Sequence, residues 1–476
     1  MIIISFVFFL LVFTLIGISS TFKSRDTKQD YYLASSSIKP WLVGLSATAT
    51  NNSGYMFIGV IGYTYITGLA SIWLMIGWIA GDFLASLFIH SRLHKATSVT
   101  GEVSYAGVLS HWHGEKNHWL QRIMGLLSLC FLLVYASAQL VAGSKALHVL
   151  FEWPLWSGAV IGAIIVAVYC FAGGIRASIW TDAAQSMVMI VAMFLLLGTA
   201  IVSLGGVDAT LAQMHQVEGF MGWFPKDLVM PGITGGILFI VSWLFAGLSV
   251  IGQPHIMVRF MALNNLQHMR RAKIWYYLWF TVFYCAATGV GMLSRVYLTD
   301  AGLFDAELAL PLMAQQLLSP ALIGLVLAGI FAATISTTDS LVLSCSSTIT
   351  HDLFPKNIEQ TYFLKLTTVL ITLCALGLAL MNNQSVFNMV IMAWSGLASA
   401  FAPLLFVLAM GWKPSQQVSI IAVIAGFVSA IAWRGASLHS LVYEGLPGIL
   451  TGLLVIFLLG RLWQQPRTEQ IKSYAQ

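Results

Sequence analysis

Residues 45–55 read Leu45-Ser46-Ala47-Thr48-Ala49-Thr50-Asn51-Asn52-Ser53-Gly54-Tyr55. They fall inside a span, 40–66, that is otherwise apolar enough to be a membrane helix. Asn, Ser and Gly are poor helix formers, because their side chains or bare backbone offer other partners to the peptide groups. At membrane depth such a cluster predicts a broken helix, with carbonyls and hydroxyls exposed to an ion. Interrupted helices near the midplane are a usual binding device of secondary transporters. Close helix packing through small residues is the competing reading. It would satisfy Ala47 and Gly54 alone, but fits two adjacent asparagines poorly.

The rest of the chain supports a membrane setting. It has 476 residues, 58% apolar and only 9% charged. A soluble domain carries about 25% charged residues. Many runs reach the ~20 apolar residues that a spanning helix needs. They are continuously apolar, whereas a membrane β-barrel would alternate. The expected class is therefore all-α: a polytopic membrane protein in one domain. The N-terminal run has its first basic residue, Lys23, after the apolar stretch. It reads as an uncleaved first helix, not a leader with a basic front. Five cysteines sit inside expected spans without metal or disulfide spacing, as packing residues.

We place thirteen helices, at 2–20, 40–66, 68–91, 121–147, 155–174, 179–204, 231–253, 273–297, 319–349, 363–382, 387–411, 417–434 and 440–460. With the N-terminus outside and the C-terminus cytoplasmic, all but Lys145, Lys226, Arg295 and Arg434 of the 23 Lys and Arg residues fall at cytoplasmic ends or loops. That bias is the positive-inside pattern. The net charge of +5 then reflects anionic lipid and implies no nucleic-acid partner. No glycine-rich phosphate loop is present, which argues against an ATP-driven pump. No obligate protein partner is visible either.

A second polar stripe lies in the ninth span. Ser336, Asp339 and Ser340 stand at i, i+3 and i+4 and share one helix face. Hydroxyls with one carboxylate suit a hard cation that prefers oxygen ligands, and an intramembrane Asp is usually functional. A serine-rich helix bonding to its own carbonyls is the alternative. Asp182 is either an interfacial helix-start residue or an inward-facing group. Asp82, inside a span, has a structural hydrogen bond as its default reading. Gly252-Gln253-Pro254-His255 is expected to end the seventh helix and begin a cytoplasmic loop. His111, His113 and His118 lie close in one loop, either as ordinary loop residues or as a metal site.

Several of these segments resemble the sodium:solute symporter family, in its sodium/proline branch. They are Asp30-Tyr31-Tyr32-Leu33-Ala34, then Leu45-Ser46-Ala47 followed by Ser53-Gly54. Further along come Gly252-Gln253-Pro254-His255-Ile256 with Val258-Arg259-Phe260-Met261-Ala262, then Ser336-Thr337, Cys345-Ser346-Ser347 and Asp352-Leu353. Ala400-Phe401-Ala402-Pro403 matches more weakly. The resemblance implies a LeuT-type five-plus-five inverted repeat with extra helices at both ends. Residues 1–39 would hold the first helix and a cytoplasmic loop, 40–411 the core, and 412–476 two more helices and a tail.

The resemblance also implies a principal Na⁺ site from the carbonyls of Ala49, Asn52 and Ala333 and the hydroxyls of Ser336 and Thr337. A second cation position would involve Asp182, Ser336, Asp339 and Ser340. Ser53, Gly54, Tyr55 and Tyr135 would lie near the substrate, although core packing also explains the two tyrosines. The chain departs from the branch in having Asn51 where an acid is common, Ser36 in place of a positive residue, and Asp339 at a usually hydroxylated position. The function expected is Na⁺-coupled symport of a small organic solute, an amino acid such as proline, across a bacterial inner membrane. Proton coupling through Asp182 and Asp339 is the first alternative. A channel, a transporter-derived sensor and a membrane enzyme are the others. Filter rings, an output domain and a catalytic constellation are not visible in the sequence.

Overall fold

The computed structural model describes residues 1–299, 302–354, 358, 360–381 and 385–462. The tail expected beyond Leu462 lies outside the described residues. Fourteen helices carry the architecture. The first seven are α1 (Ile2–Ser19), α2 (Pro40–Gly54), α3 (Ile61–Thr67), α4 (Ile72–Phe88), α5 (His118–Phe151), α6 (Leu155–Ser203) and α7 (Gly232–Leu248). The rest are α8 (Pro254–Met261), α9 (Met269–Tyr297), α10 (Pro320–Ser347), α11 (Thr361–Met381), α12 (Val386–Ala409), α13 (Gln416–Gly435) and α14 (Gly445–Leu462).

Ten described helical runs are long and apolar enough to cross a membrane, and two of them are 49 residues long. Forty-nine helical residues would reach about 74 Å, over twice a bilayer core. Each long run therefore holds two crossings. One turns at Gly68, φ 69°, after α3. The other is α6, which doubles back at Gly174, φ 54°. The fold-back is visible at Gly17 of α1: a Cβ there would meet Tyr169 from one arm of α6 and Thr181 from the other. At Gly174 a Cβ would come within 2.4 Å of Tyr31 O, so a side chain has no room. With the shorter apolar helix Gly445–Gly460, the described residues give the thirteen crossings expected.

Local chemistry sets the helix starts. Pro40, Pro254 and Pro320 occupy first-turn positions, where their missing N–H costs nothing. Ser385 and Ser415 cap α12 and α13 through their hydroxyls. Burial sorts the layers. The most apolar windows of α10 and α12 are 83% and 89% buried, so these two helices form the centre, while that of α1 is 22% buried and faces lipid. The short helix Lys28–Leu33 docks by its tyrosines. Tyr31 OH donates to Cys170 O at 3.0 Å, and Tyr32 OH lies 2.9 Å from both Ser346 Oγ and Thr350 Oγ1. All five cysteines are free, with Cys170 and Cys345 buried and the other three facing outward.

A close backbone approach joins α4 to α7. A Cβ on Gly81 would lie 2.1 Å from Leu244 O, and one on Gly247 would lie 2.3 Å from Trp78 O. Gly77 makes a third such contact, at 2.7 Å from Trp243. Small residues that let backbones touch are how helices associate in lipid, where hydrophobicity gives no preference.

Candidate functional site

The break in the second span is real and sits at Ser53, φ 42° and ψ 178°. A positive φ is costly for a residue with a Cβ and persists only where neighbours enforce it. Helix α5 enforces it here. Gln139 Oε1 accepts the Gly54 N–H at 2.7 Å, and Tyr135 OH donates to Ser53 Oγ at 3.2 Å. Ser53 Oγ also accepts the Tyr55 N–H at 3.0 Å. A π-helical turn, Tyr55–Val60, follows before α3 resumes; such wide turns are frequent at functional sites. The expected substrate residues Ser53, Gly54 and Tyr135 are thus brought together. The Tyr55 ring turns toward Trp78 and Phe387, at 5.6 and 5.3 Å between centroids.

A second break faces the first. Helix α7 tightens through Ser249–Gly252, and Pro254 opens α8 in a new direction. The expected cytoplasmic loop is absent here: seven of the eight residues of α8 are buried. Proline stopped one helix as expected, but it also serves as the first residue of the next. Gln253 Nε2 donates to Ser249 O at 3.1 Å and Trp394 O at 3.0 Å, and the His255 ring meets Tyr135 edge-on at 5.4 Å. Buried and without a hydrogen-bond partner among the described residues are Gln139 Nε2, Gln253 Oε1, Tyr55 OH and both His255 nitrogens. Buried polar groups normally find partners. Unused donors and acceptors around the two breaks are suited to a small polar ligand.

The polar stripe of α10 also packs on α2. Ser336 Oγ lies 3.1 Å from Ala333 O and 3.4 Å from Ala49 O. Thr337 Oγ1 donates to Thr50 O at 3.0 Å. Ala49, Ala333 and Ser336 therefore converge, while the Thr337 hydroxyl is bonded to Thr50 O, a carbonyl outside the expected set. The Asn52 carbonyl accepts the Tyr55 N–H, and its Oδ1 is buried without a partner among the described residues. The donors are all oxygen, as a hard cation requires.

Beside this stripe stands a residue whose place after Pro254 implies a cytoplasmic end or loop. Arg259 of α8 is 0% exposed. Its Nη2 lies 3.4 Å from Asp182 Oδ2, donates to Ser178 Oγ at 2.8 Å and contacts Ser340 Oγ. Its Nη1 donates to His255 O at 2.7 Å, and Nε lies 3.4 Å from Ser46 Oγ. Asp182 faces inward and also accepts from Ser46 Oγ at 2.6 Å. Asp339 Oδ1 accepts from Ser178 at 2.8 Å and Ser340 at 3.0 Å. Asp182 thus meets the guanidinium directly and Asp339 only through Ser178 and Ser340, and Asp182 Oδ1 and Asp339 Oδ2 have no partner among the described residues. Asp182, Asp339 and Ser340 do come together, around a charge supplied by the protein itself.

Asp82 does hold a structural bond. It accepts from Tyr276 OH at 2.6 Å and Tyr277 OH at 3.1 Å, and Tyr276 in turn accepts from Asn51 Nδ2 at 2.5 Å. An acid on α4 is thereby wired to the residue beside the break. The three clustered histidines do not converge. His111 reaches Glu102 and His113 reaches Trp412 O, and no metal-holding group of three His, Cys, Asp or Glu exists among the described residues. Glu102 is the hub at this rim, with His351 Nε2 at 2.5 Å, Lys116 Nζ at 3.0 Å and His111 Nδ1 at 3.1 Å. Burial pushes its carboxyl up, but the hydrogen bonds and charges of His351 and Lys116 outweigh that and hold it at about 2. At the opposite rim Glu307 clasps the start of α12. It accepts from Ser385 Oγ and the Val386 and Phe387 N–H groups, and Lys145 bonds it at 2.5 Å.

Comparison with known proteins gives a consistent set. Residues 31–426 match the model of the Sodium:solute symporter family. The high-affinity proline transporter PutP of Bacillus subtilis (strain 168) is 29% identical over 95% of this chain and 97% of its own length. Sodium/proline symporter 2 of Staphylococcus saprophyticus is 28% identical, covering 97% of this chain and 93% of its own. Among solved structures, the substrate-bound, outward-open Na⁺-coupled sialic acid symporter superposes with a TM-score of 0.82 at 17% identity, over 98% of this chain and 99% of that one. Mhp1, a nucleobase-cation-symport-1 transporter, gives 0.57 at 14% identity, over 93% and 97% of the two chains. The likeness carries the LeuT-type inverted-repeat fold.

Proposed function

The chain belongs to the sodium:solute symporter family, and from that premise we propose that proline is its solute and that α2 and α10 hold its Na⁺. It is an integral membrane protein that couples Na⁺ to the symport of a small organic solute, and it is not an enzyme. The observation that carries the site proposal is the Ser53 break, pinned by Gln139 while Ala49 and Thr50 meet Ser336 and Thr337. Ala49, Asn52, Ala333, Ser336 and Thr337 form the principal Na⁺ position in this reading. Ser53, Gly54 and Tyr135 line the solute position, with Tyr55 closing it and Gln139, Gln253 and Trp394 added to the set.

Na⁺ ties α2 to α10 and stabilises the state that accepts solute; its differential affinity for the two states couples the fluxes. Asp182, Asp339 and Ser340 form the second cation position, and Arg259 is its resident cation in this conformation. Residues 40–411 act as the repeat core, within 1–476 as one domain. The N-terminus faces out and the C-terminus faces the cytoplasm of a bacterial inner membrane, in keeping with the bacterial relatives.

The test is uptake of radiolabelled proline into proteoliposomes under an inward Na⁺ gradient, with choline as the control. Accumulation with Na⁺ alone supports both solute and coupling. No uptake in either case removes proline and leaves Na⁺ coupling to be sought with other solutes. The two carboxylates around one arginine favour a second reading, in which a proton accompanies or replaces an ion. Uptake that follows a pH gradient without Na⁺ would select it.

A further inference from the structure

A cavity of about 820 Å³ lies between α1, the entry to α2 and the second arm of α6. Trp41 and Met187 on its wall are 42% and 44% exposed, so it opens on the outer face of the bundle. One end is basic. Lys23, Arg25 and Lys39 line it, are exposed, and have no ion-pair partner among the described residues. Lys23 Nζ sits 5.2 Å from the Trp180 ring centroid. A fourth cation, Arg176, is already engaged with Asp30 Oδ1 at 2.5 Å, Ala34 O and Ser37 Oγ. The other end is apolar, walled by Ile16, Leu42, Ala184 and Met187.

The dimensions match one half of a bilayer. Met187 stands eleven residues past Arg176 on one helix, or about 16 Å, and half a hydrocarbon core is about 15 Å. A wall that is cationic at the interface and apolar for the depth of one leaflet fits an amphiphile with an anionic head. A free phosphate would use only the basic end and leave the apolar length unexplained. Tryptophans at the mouth are suited to headgroup level.

We propose that this cavity is a binding site for one anionic phospholipid from the leaflet on the basic side of the bundle. Its phosphate is taken by Lys23, Arg25 and Lys39, and one acyl chain lies along Leu42, Ala184 and Met187. The lipid joins α1, the residue that precedes α2, and the arm of α6 that carries Asp182.

Native mass spectrometry of the purified full chain tests this, with phosphatidylglycerol and phosphatidylethanolamine of identical chains as probes. The wild type should retain one phosphatidylglycerol and release phosphatidylethanolamine. At about 1 kcal/mol per surface cation, Lys23→Gln/Arg25→Gln/Lys39→Gln should weaken retention about a hundredfold. Arg270→Gln/Arg271→Gln, which removes charge from the exposed first turn of α9, should leave it unchanged. Ala184→Trp keeps every charge, fills the apolar end and should also expel the lipid; it decides the matter if the triple variant does not fold. Equal retention of both lipids, retention by the triple variant or by Ala184→Trp, or release by excess inorganic phosphate would each overturn the proposal.

Discussion

The two helix breaks lie opposite each other and are made by different means. The first, at Ser53, is a single residue forced to positive φ and held there by hydrogen bonds from α5. The second is made covalently: Pro254 cannot continue α7 and restarts the chain as α8. A break held by hydrogen bonds is reversible at the scale of a few kcal/mol. One imposed by proline is permanent. The first break therefore suits a place where binding must change the structure. The second suits a fixed mount, and what it mounts is Arg259.

The largest expected effect tests that mount. Arg259→Met takes the ion-pair partner from buried Asp182, and removing one partner of such a pair costs about 3–5 kcal/mol. Na⁺-driven uptake should fall to background, with a lowered Tm in detergent. Adding Asp182→Asn should recover much of the Tm by removing the carboxylate left unpaired. Normal uptake by Arg259→Met would show that the second break mounts nothing needed.

Next in size is the contact between the adjustable break and α10. Ser336→Ala/Thr337→Ala removes two hydroxyls at about 1 kcal/mol or more each. The Na⁺ concentration for half-maximal uptake should rise by about ten- to a hundredfold. An unchanged Na⁺ dependence would take these residues out of the ion position.

A smaller effect sharpens the solute side. Gln139→Leu leaves the Gly54 N–H unpaired and frees the break to relax. We expect about a tenfold rise in the solute KM, with the Na⁺ dependence nearly unmoved. Equal shifts in both would mean that ion and solute share this hydrogen bond.

The smallest effect lies at the rim. Glu102 is held at about 2 against an ordinary 4.5, so its stabilisation is complete above about pH 4.5 and disappears as the pH falls toward 2. Wild-type protein in detergent should lose more Tm between pH 5 and pH 2 than Glu102→Gln does, the two pH values bracketing that window approximately. Parallel curves would show that the rim cluster does not latch the bundle.

The contrast between the breaks also explains what the sequence could and could not reveal. Asn51, Asn52 and Ser53 announce a break because their local preferences oppose a helix, and local preferences are written in adjacent residues. The α10 stripe is legible for the same reason, through helical spacing. Arg259 was misplaced because a charge after a proline at a span's end reads as loop. Only its approach to Asp182, 77 residues earlier, reveals the mount. Gln139 carries no signal at all, being one amide in a long apolar helix. The partner of Asp82 was equally hidden, since Tyr276 lies 194 residues away. Short-range chemistry gave the breaks and the crossings, and long-range packing gave what each break holds.

The glycine seam between α4 and α7 has a mechanical consequence. With backbone on backbone at Gly77, Gly81 and Gly247, no compressible layer of side chains separates the two helices. They behave as a laminated beam, stiffer than either ply alone. Force generated where one ply ends is then transmitted along the pair instead of being lost as flexure. A single methyl on Gly81 would act as a shim, prising the plies apart and making the joint compliant.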